Sequence, residues 1–244
     1  MEANFKQLSR VKELAFMGKV NASLSHEIKN TLAIINESVG LMGDLLGKEP
    51  PADWEAYPRL KSIIASIEEQ VQRSGAIIKR LNRFAHSTDK PVVNVDLNEL
   101  VEEITTLAQR FARLRGVKLE VKLASEPLVI HSDPFRIQQV IFAFIERGLW
   151  HCSPNETQVT IACRGKGDMA QTIVTDEGSP EGDWLRKRIS AALAPACILA
   201  EEEDPELAIL ALTMAQLGGS IEAEDVGATG NKVILSFPAK IPEE

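Results

Sequence analysis

Apolar residues in the first ninety positions recur at steps of three and four. Val20, Leu24, Ile28, Leu32, Ile35, Val39, Met42 and Leu46 form one such run. That spacing predicts an amphipathic helix sustained over many turns. The segment GKEPPADWEAYP breaks it, because adjacent prolines cannot continue a helix. A second run, Leu60, Ile63, Ile64, Ile67, Val71, Ile78, Leu81 and Phe84, ends near HSTDKP, where Pro91 marks a boundary. Two long helices with a short connection predict an antiparallel hairpin. Alone it leaves two apolar stripes in water, and pairing two hairpins into a four-helix bundle removes both. The pattern therefore predicts a homodimer, with Ile35 and Ile67 in the bundle core.

After Pro91 the pattern changes. VVNV and VKLEVKL read as strands around a helical run from Leu97 to Leu114, and PLVI as another short strand. DPFRIQQVIFAFIERGLW reads as a mostly buried helix, with Trp150 expected to plug the domain core. TQVTIAC and AQTIVTD read as strands, DWLRKRISAAL and PELAILALTMAQL as helices, and GSIEAED with NKVILSFP as a closing hairpin. Helices on one face of a mainly antiparallel sheet make an α+β sandwich. The predicted organisation is a helical hairpin over 1–90 followed by a sandwich domain over 91–244.

Composition narrows the function. A net charge of -8 and 5% aromatic content argue against a nucleic-acid binder. No stretch approaches the roughly 20 apolar residues of a membrane span, and the N-terminus lacks the apolar core of a signal peptide. The expected location is the cytoplasm. Cys152, Cys163 and Cys197 show no metal or disulfide spacing and are expected to be small buried thiols. His86, His131 and His151 are far apart and share no metal-ligand spacing, so no metal site is predicted. WLRKR at Trp184 to Arg188 is basic but short, the pattern of a solvated helix face.

His26 stands out within SLSHEIKNTL. It is two residues from both Leu24 and Ile28, about 200° around a helix from each, so it points away from the apolar seam. An outward imidazole is a usable nucleophile at neutral pH. Glu27 can accept a proton or hydrogen bond during chemistry at the ring. Asn30 lies one turn on, on the same face, placed to orient a water or a partner's carboxylate.

SHEIKN in the first helix of a dimerising hairpin, followed by an α+β domain, resembles the histidine kinases of two-component signalling. The resemblance spans about Lys12 to Pro238 and implies that His26 is the phosphoacceptor. One departure is Thr31, where that family usually carries proline. DPFRIQQVIFAFIERG resembles the family's N box, whose two asparagines serve the nucleotide and its Mg²⁺. Ala143 and Arg147 stand there instead. Alanine has no oxygen, and a guanidinium cannot ligate a hard cation, although it can touch a phosphate. VTDEGSP resembles the D-x-G-x-G motif that reads adenine. Asp176 and Gly178 are present, but Pro180 replaces the second glycine, removing an N–H and fixing φ. At the third motif, G-x-G-L-A-I, the chain reads Asp204-Pro205-Glu206-Leu207-Ala208-Ile209, preceded by three glutamates. Carboxylates at a helix start stabilise that helix but repel a triphosphate, by on the order of 1–4 kcal/mol per contact.

The resemblance and its departures together predict a phosphorelay protein similar to the dimeric histidine phosphotransferases whose second domain is a degenerate kinase domain. His26 is expected to exchange phosphoryl groups with aspartates of response-regulator receiver domains, with Glu27 and Asn30 assisting. No cofactor is expected: Mg²⁺ comes from the receiver, ATP is not bound, and Ala143, Arg147, Asp176 and Gly178 line a vestigial nucleotide pocket. An upstream hybrid histidine kinase is a further expected partner. With no sensor segment ahead of Met1, the signal is expected to arrive through another protein. Two alternatives stay open: an ATP-dependent histidine kinase lacking its own sensor domain, and a non-catalytic dimeric scaffold that binds a response regulator.

Overall fold

A computed structural model describes residues 2–46, 57–86, 92–155, 157–178, 187, 205–225 and 230–238. Apart from Lys187, the expected helix DWLRKRISAAL with its basic run lies outside the described residues, as do Pro180, Asp204 and Cys197. Helix α1 spans Glu2–Leu46 and α2 spans Tyr57–His86. They are followed by β1 (Val93–Asp96), α3 (Leu97–Arg115), β2 (Lys118–Lys122), β3 (Val129–Ser132) and α4 (Pro134–His151). The chain closes with β4 (Gln158–Lys166), β5 (Met169–Asp176), α5 (Pro205–Gln216), β6 (Ser220–Asp225) and β7 (Asn231–Pro238). This is the expected α+β arrangement of long N-terminal helices and a mixed sheet.

The chain divides into two compact units, 17–86 and a second made of 1–16 with 87–244. The division at residue 90 drawn from the sequence treats α1 as one piece. Its first turns instead group with the later domain, and the reason is visible in the packing. Phe16 is 4% exposed, with its ring 5.6 Å from that of Phe135 and 5.3 Å from that of Phe142. Helical periodicity is the same on both sides of Phe16, so it carries no mark of which surface each turn meets.

In the 17–86 unit, α2 turns Leu60, Ile63, Ile67, Gln70, Ser74 and Ile77 inward, all buried or half-buried. On α1, Val20, Leu24 and Thr31 are buried and Ile35 is half-buried. A second set faces out at seven-residue spacing: Leu32 and Val39 on α1, and Ile64, Val71 and Ile78 on α2. Seven residues is nearly two full turns, so each set forms one continuous stripe.

In the larger unit, five strands run in the order β2-β4-β5-β7-β6, with β2 and β4 parallel and the other pairs antiparallel. β1 and β3 form a separate antiparallel pair. α3 and α4 pack on each other, and α4 packs on β4, β5 and β7. Local chemistry fixes the helix ends. Asp96 caps α3, its Oδ1 accepting from Asn98 N at 2.9 Å and from Leu128 N at 3.0 Å. Gly116 closes the helix at φ 66, a conformation that favours glycine. Asp133 caps α4 by accepting from Arg136 N at 3.1 Å, and Pro134 takes the first helical position.

Trp150 departs from expectation. It is 67% exposed, not a core plug, and the Arg115 guanidinium carbon sits 3.2 Å from its ring centroid. α4 ends at His151, so the ring emerges at the last turn, beyond the strands that cover Leu149, and it finds a cation rather than a core.

Candidate functional site

His26 lies on the outer face of α1, exposed, between buried Leu24 and half-buried Ile28. Its Nδ1 is 3.2 Å from Asn30 Nδ2, one helical turn on. Glu27 is half-buried. The structure thus brings His26 and Asn30 together on one face. Which ring nitrogen carries the hydrogen follows from the way the Asn30 amide is turned. With the amide nitrogen toward the ring, Nδ1 accepts and Nε2 bears the hydrogen. With the amide turned end for end, its oxygen accepts from Nδ1–H and the Nε2 lone pair is free. Nε2 is the nitrogen farther from the backbone and therefore the one a bulky reactant can reach.

The second set of candidate residues belongs to the larger unit. Ala143 and Arg147, four apart on α4, are both half-buried. Neither offers an oxygen to a hard cation. Asp176, at the end of β5, is 6% exposed. Its Oδ1 accepts from Gly178 N at 3.0 Å and from Asn231 Nδ2 at 3.0 Å, and the same amide lies 3.3 Å from Oδ2. Asn231, 55 residues away in sequence, is a partner that local motifs do not indicate. Gly178 packs so closely that a Cβ there would collide with the carbonyl of His151. Its own carbonyl accepts from Gly230 N at 2.9 Å. Asp176 is therefore held both by the turn that follows it and by the start of β7.

At the start of α5, Glu206 pairs with Lys12 of α1 at 2.8 Å. Both side chains are partly exposed, so the pair contributes little stability. It does matter for charge. The lysine cancels part of the repulsion that Glu206 alone would exert on an anion, while filling the same helix start with an internal pair. Among the described residues no group of three or more His, Cys, Asp or Glu side chains is placed to hold a metal. Cys152 and Cys163 are buried and unbridged. Burial pushes the Cys163 thiol up to about 12 and raises that of Cys152, so neither is a ready thiolate.

Comparison with known proteins places this architecture. The chain matches no protein-family model. It is 26% identical over 231 residues, 94% of its length, to the sensor histidine kinase ZraS of Klebsiella oxytoca. It is 28% identical over 176 residues, 71% of its length, to the sensor protein FixL of Bradyrhizobium diazoefficiens. The matched regions are 47% and 34% of those proteins, so the chain spans half or less of these relatives. The catalytic domain of histidine kinase ThkA superposes with a TM-score of 0.54 at 21% identity, over 63% of this chain and all of that domain. ThkA in complex with the response regulator TrrA gives a TM-score of 0.51 at 19% identity, over 96% of this chain and 66% of that one. The chain is thus similar in sequence to sensor histidine kinases over most of its length, and it carries a fold like that of the ThkA catalytic domain.

Proposed function

We propose that this chain is a two-component phosphotransfer protein in which His26 exchanges a phosphoryl group with an aspartate of a response-regulator receiver domain. The observation that carries the proposal is the exposed His26 ring, held at Nδ1 by Asn30 on a helix whose other face is packed. The Nε2 lone pair attacks phosphorus of the aspartyl phosphate. The bond from phosphorus to the carboxyl oxygen breaks, and the receiver's carboxylate leaves with that electron pair. With the Asn30 amide turned so that its oxygen faces the ring, the Nδ1 hydrogen stays on the ring and is donated to that oxygen, which stabilises the charge that develops on the imidazole. Glu27, next in sequence, assists as an acceptor for the proton chemistry at the ring. A receiver partner is supported by the likeness to ThkA, which was solved with the response regulator TrrA.

The larger unit keeps a kinase scaffold without, on this reading, its nucleotide chemistry. Ala143 and Arg147 do not fit a Mg²⁺-nucleotide, and Glu206 stands at the helix start where a triphosphate would rest. A functioning ATP-dependent kinase is the second reading, favoured by the sensor histidine kinases among the relatives. Calorimetry with ATP and Mg²⁺ separates the two: no measurable heat supports the first, and micromolar binding the second. The transfer itself is tested with a receiver domain charged by acetyl phosphate. Acid-labile phosphate should appear on the wild-type chain and not on His26→Ala, and phosphate on that variant would refute the assignment. The variant should keep its fold, since an exposed substitution changes stability by about 0.5 kcal/mol or less. The same reading includes a homodimer, in which a second copy covers the stripes of Leu32, Val39, Ile64, Val71 and Ile78.

A further inference from the structure

The inward seam of α2 is interrupted by two polar residues, Gln70 and Ser74, in an otherwise apolar row. On α1, Thr31 is 1% exposed. Its Oγ1 lies 2.9 Å from the carbonyl oxygen of Ile28 and 3.2 Å from that of Glu27. Ser74 Oγ lies 2.9 Å from Thr31 Oγ1 and 2.9 Å from the carbonyl oxygen of Gln70. Each hydroxyl has one hydrogen. Thr31 donates back into its own helix, and Ser74 can then donate across to Thr31. Gln70 Oε1, on the preceding turn, is buried without a donor.

Glu27 and Ile28 directly follow His26, so the hydroxyl of Thr31 grips the turn that carries the histidine. Rotating α1, or sliding α2 by a turn, would part Ser74 from Thr31, leaving each hydroxyl only the carbonyl of its own helix and losing the hydrogen bond that joins the two. An all-apolar seam has no such preference, and a single polar pair in a helical seam is what fixes register. We infer that Thr31 and Ser74 are positioning residues: a cross-helix hydroxyl pair that sets the rotation and height of α1 against α2, and so the direction in which His26 and Asn30 leave the helix. The kinetic consequence rests on the phosphotransfer reading, and the geometric one does not.

The test uses the full chain with Thr31→Val, which keeps the size and removes the hydroxyl. Its rescue partner is Thr31→Ser, which keeps the hydroxyl. Two quantities are read: transfer from a receiver charged with acetyl phosphate, and the imidazole ¹⁵N resonances of His26, which report the tautomer balance. Thr31→Val should lower kcat about tenfold, the worth of one hydrogen bond, with KM and oligomeric state unchanged. It should also shift both His26 nitrogens. Thr31→Ser should restore kcat and resonances alike. Ser74→Ala, at a half-buried position, should reproduce the loss even if Thr31→Val folds poorly, and the double variant should be no worse than either single one. Unshifted resonances in a folded Thr31→Val protein overturn the proposal. So does a loss that Thr31→Ser does not rescue, the mark of a merely loosened hairpin. If the wild-type chain takes up no phosphate, the phosphotransfer reading falls, and the resonances still decide the positioning role.

Discussion

Val71→Asp tests the dimer at its centre. Val71 is 56% exposed in the single chain, flanked at seven-residue spacing by Ile64 at 44% and Ile78 at 47%. Fully burying such a side chain is worth roughly 1.5–3 kcal/mol, so covering the exposed half contributes about 1 kcal/mol. Leu32 and Val39, at 54% and 52%, add similar amounts. Ten such side chains in a two-fold pair give roughly 10 kcal/mol, within the ~4–15 kcal/mol that association itself costs. The balance is therefore close, and one charge can decide it. Val71→Asp removes about 1 kcal/mol per chain and leaves a carboxylate unpaired at the contact, a further ~1–3 kcal/mol. Symmetry doubles both, to at least ~4 kcal/mol, or about a thousandfold in dissociation constant. Sedimentation velocity at micromolar concentration should show a wild-type dimer and a monomeric variant. Any loss of thermal stability should be that of the dimer contact alone and should therefore depend on wild-type concentration, because the position is exposed in the single chain. A dimeric Val71→Asp protein, or a monomeric wild type, would refute the assignment of this stripe. Ile35 and Ile67, both half-buried within the chain, are poorer probes, since charge there also damages the hairpin.

Phe16→Ala should lower the urea midpoint by the equivalent of about 3–5 kcal/mol, because it empties a slot between two aromatic rings. An effect below about 1 kcal/mol would mean that the first turns of α1 do not hold to the larger unit. Asp133 offers a pH test. Its carboxyl is raised above the usual value, mainly by burial, with Arg136 opposing and Glu13 adding to the shift. The folded state therefore holds this proton more tightly than the unfolded one, so the contribution is full below the unfolded value near 4 and is lost as pH rises through the folded value. Compared with Asp133→Asn, which keeps the cap, the wild type should lose ground in denaturant melts as pH climbs from 4. A pH-independent difference would contradict the shift. Arg115→Ala should cost about 0.5–1 kcal/mol through loss of the ring contact at Trp150. A stability within error of wild type would remove that contact from the account.

Much of this architecture is legible in the sequence because local signals agree with one another. Asp96 and Asp133 precede helical runs as caps, Gly116 follows one, and period-two strands alternate with period-three-to-four helices. The outward direction of His26 follows from its offset against Leu24 and Ile28. What escapes local reading depends on partners distant in the chain. Trp150 reads as a core residue until Arg115 is found beside it. Asp176 reads as part of a local motif, with nothing to mark Asn231, 55 residues on, as its partner. Glu206 reads as a bare charge until Lys12 pairs with it. Nothing local to either helix marks Thr31 and Ser74 as partners, and only their meeting turns them into a register mark.

The contacts of the first turns of α1 also bear on how the protein is made. Phe16 packs against Phe135 and Phe142, and Lys12 waits for Glu206, 194 residues further along. At a synthesis rate of about 5–20 residues per second, Lys12 precedes its partner by roughly 10–40 s. Until Phe135 and Phe142 have been made, a phenylalanine on a nascent helix has no surface to cover it. The hairpin can fold as soon as α2 leaves the ribosome, but the piece of α1 that belongs elsewhere stays open until α4 has emerged. That segment is where a nascent-chain chaperone has both the time and the exposed ring to bind.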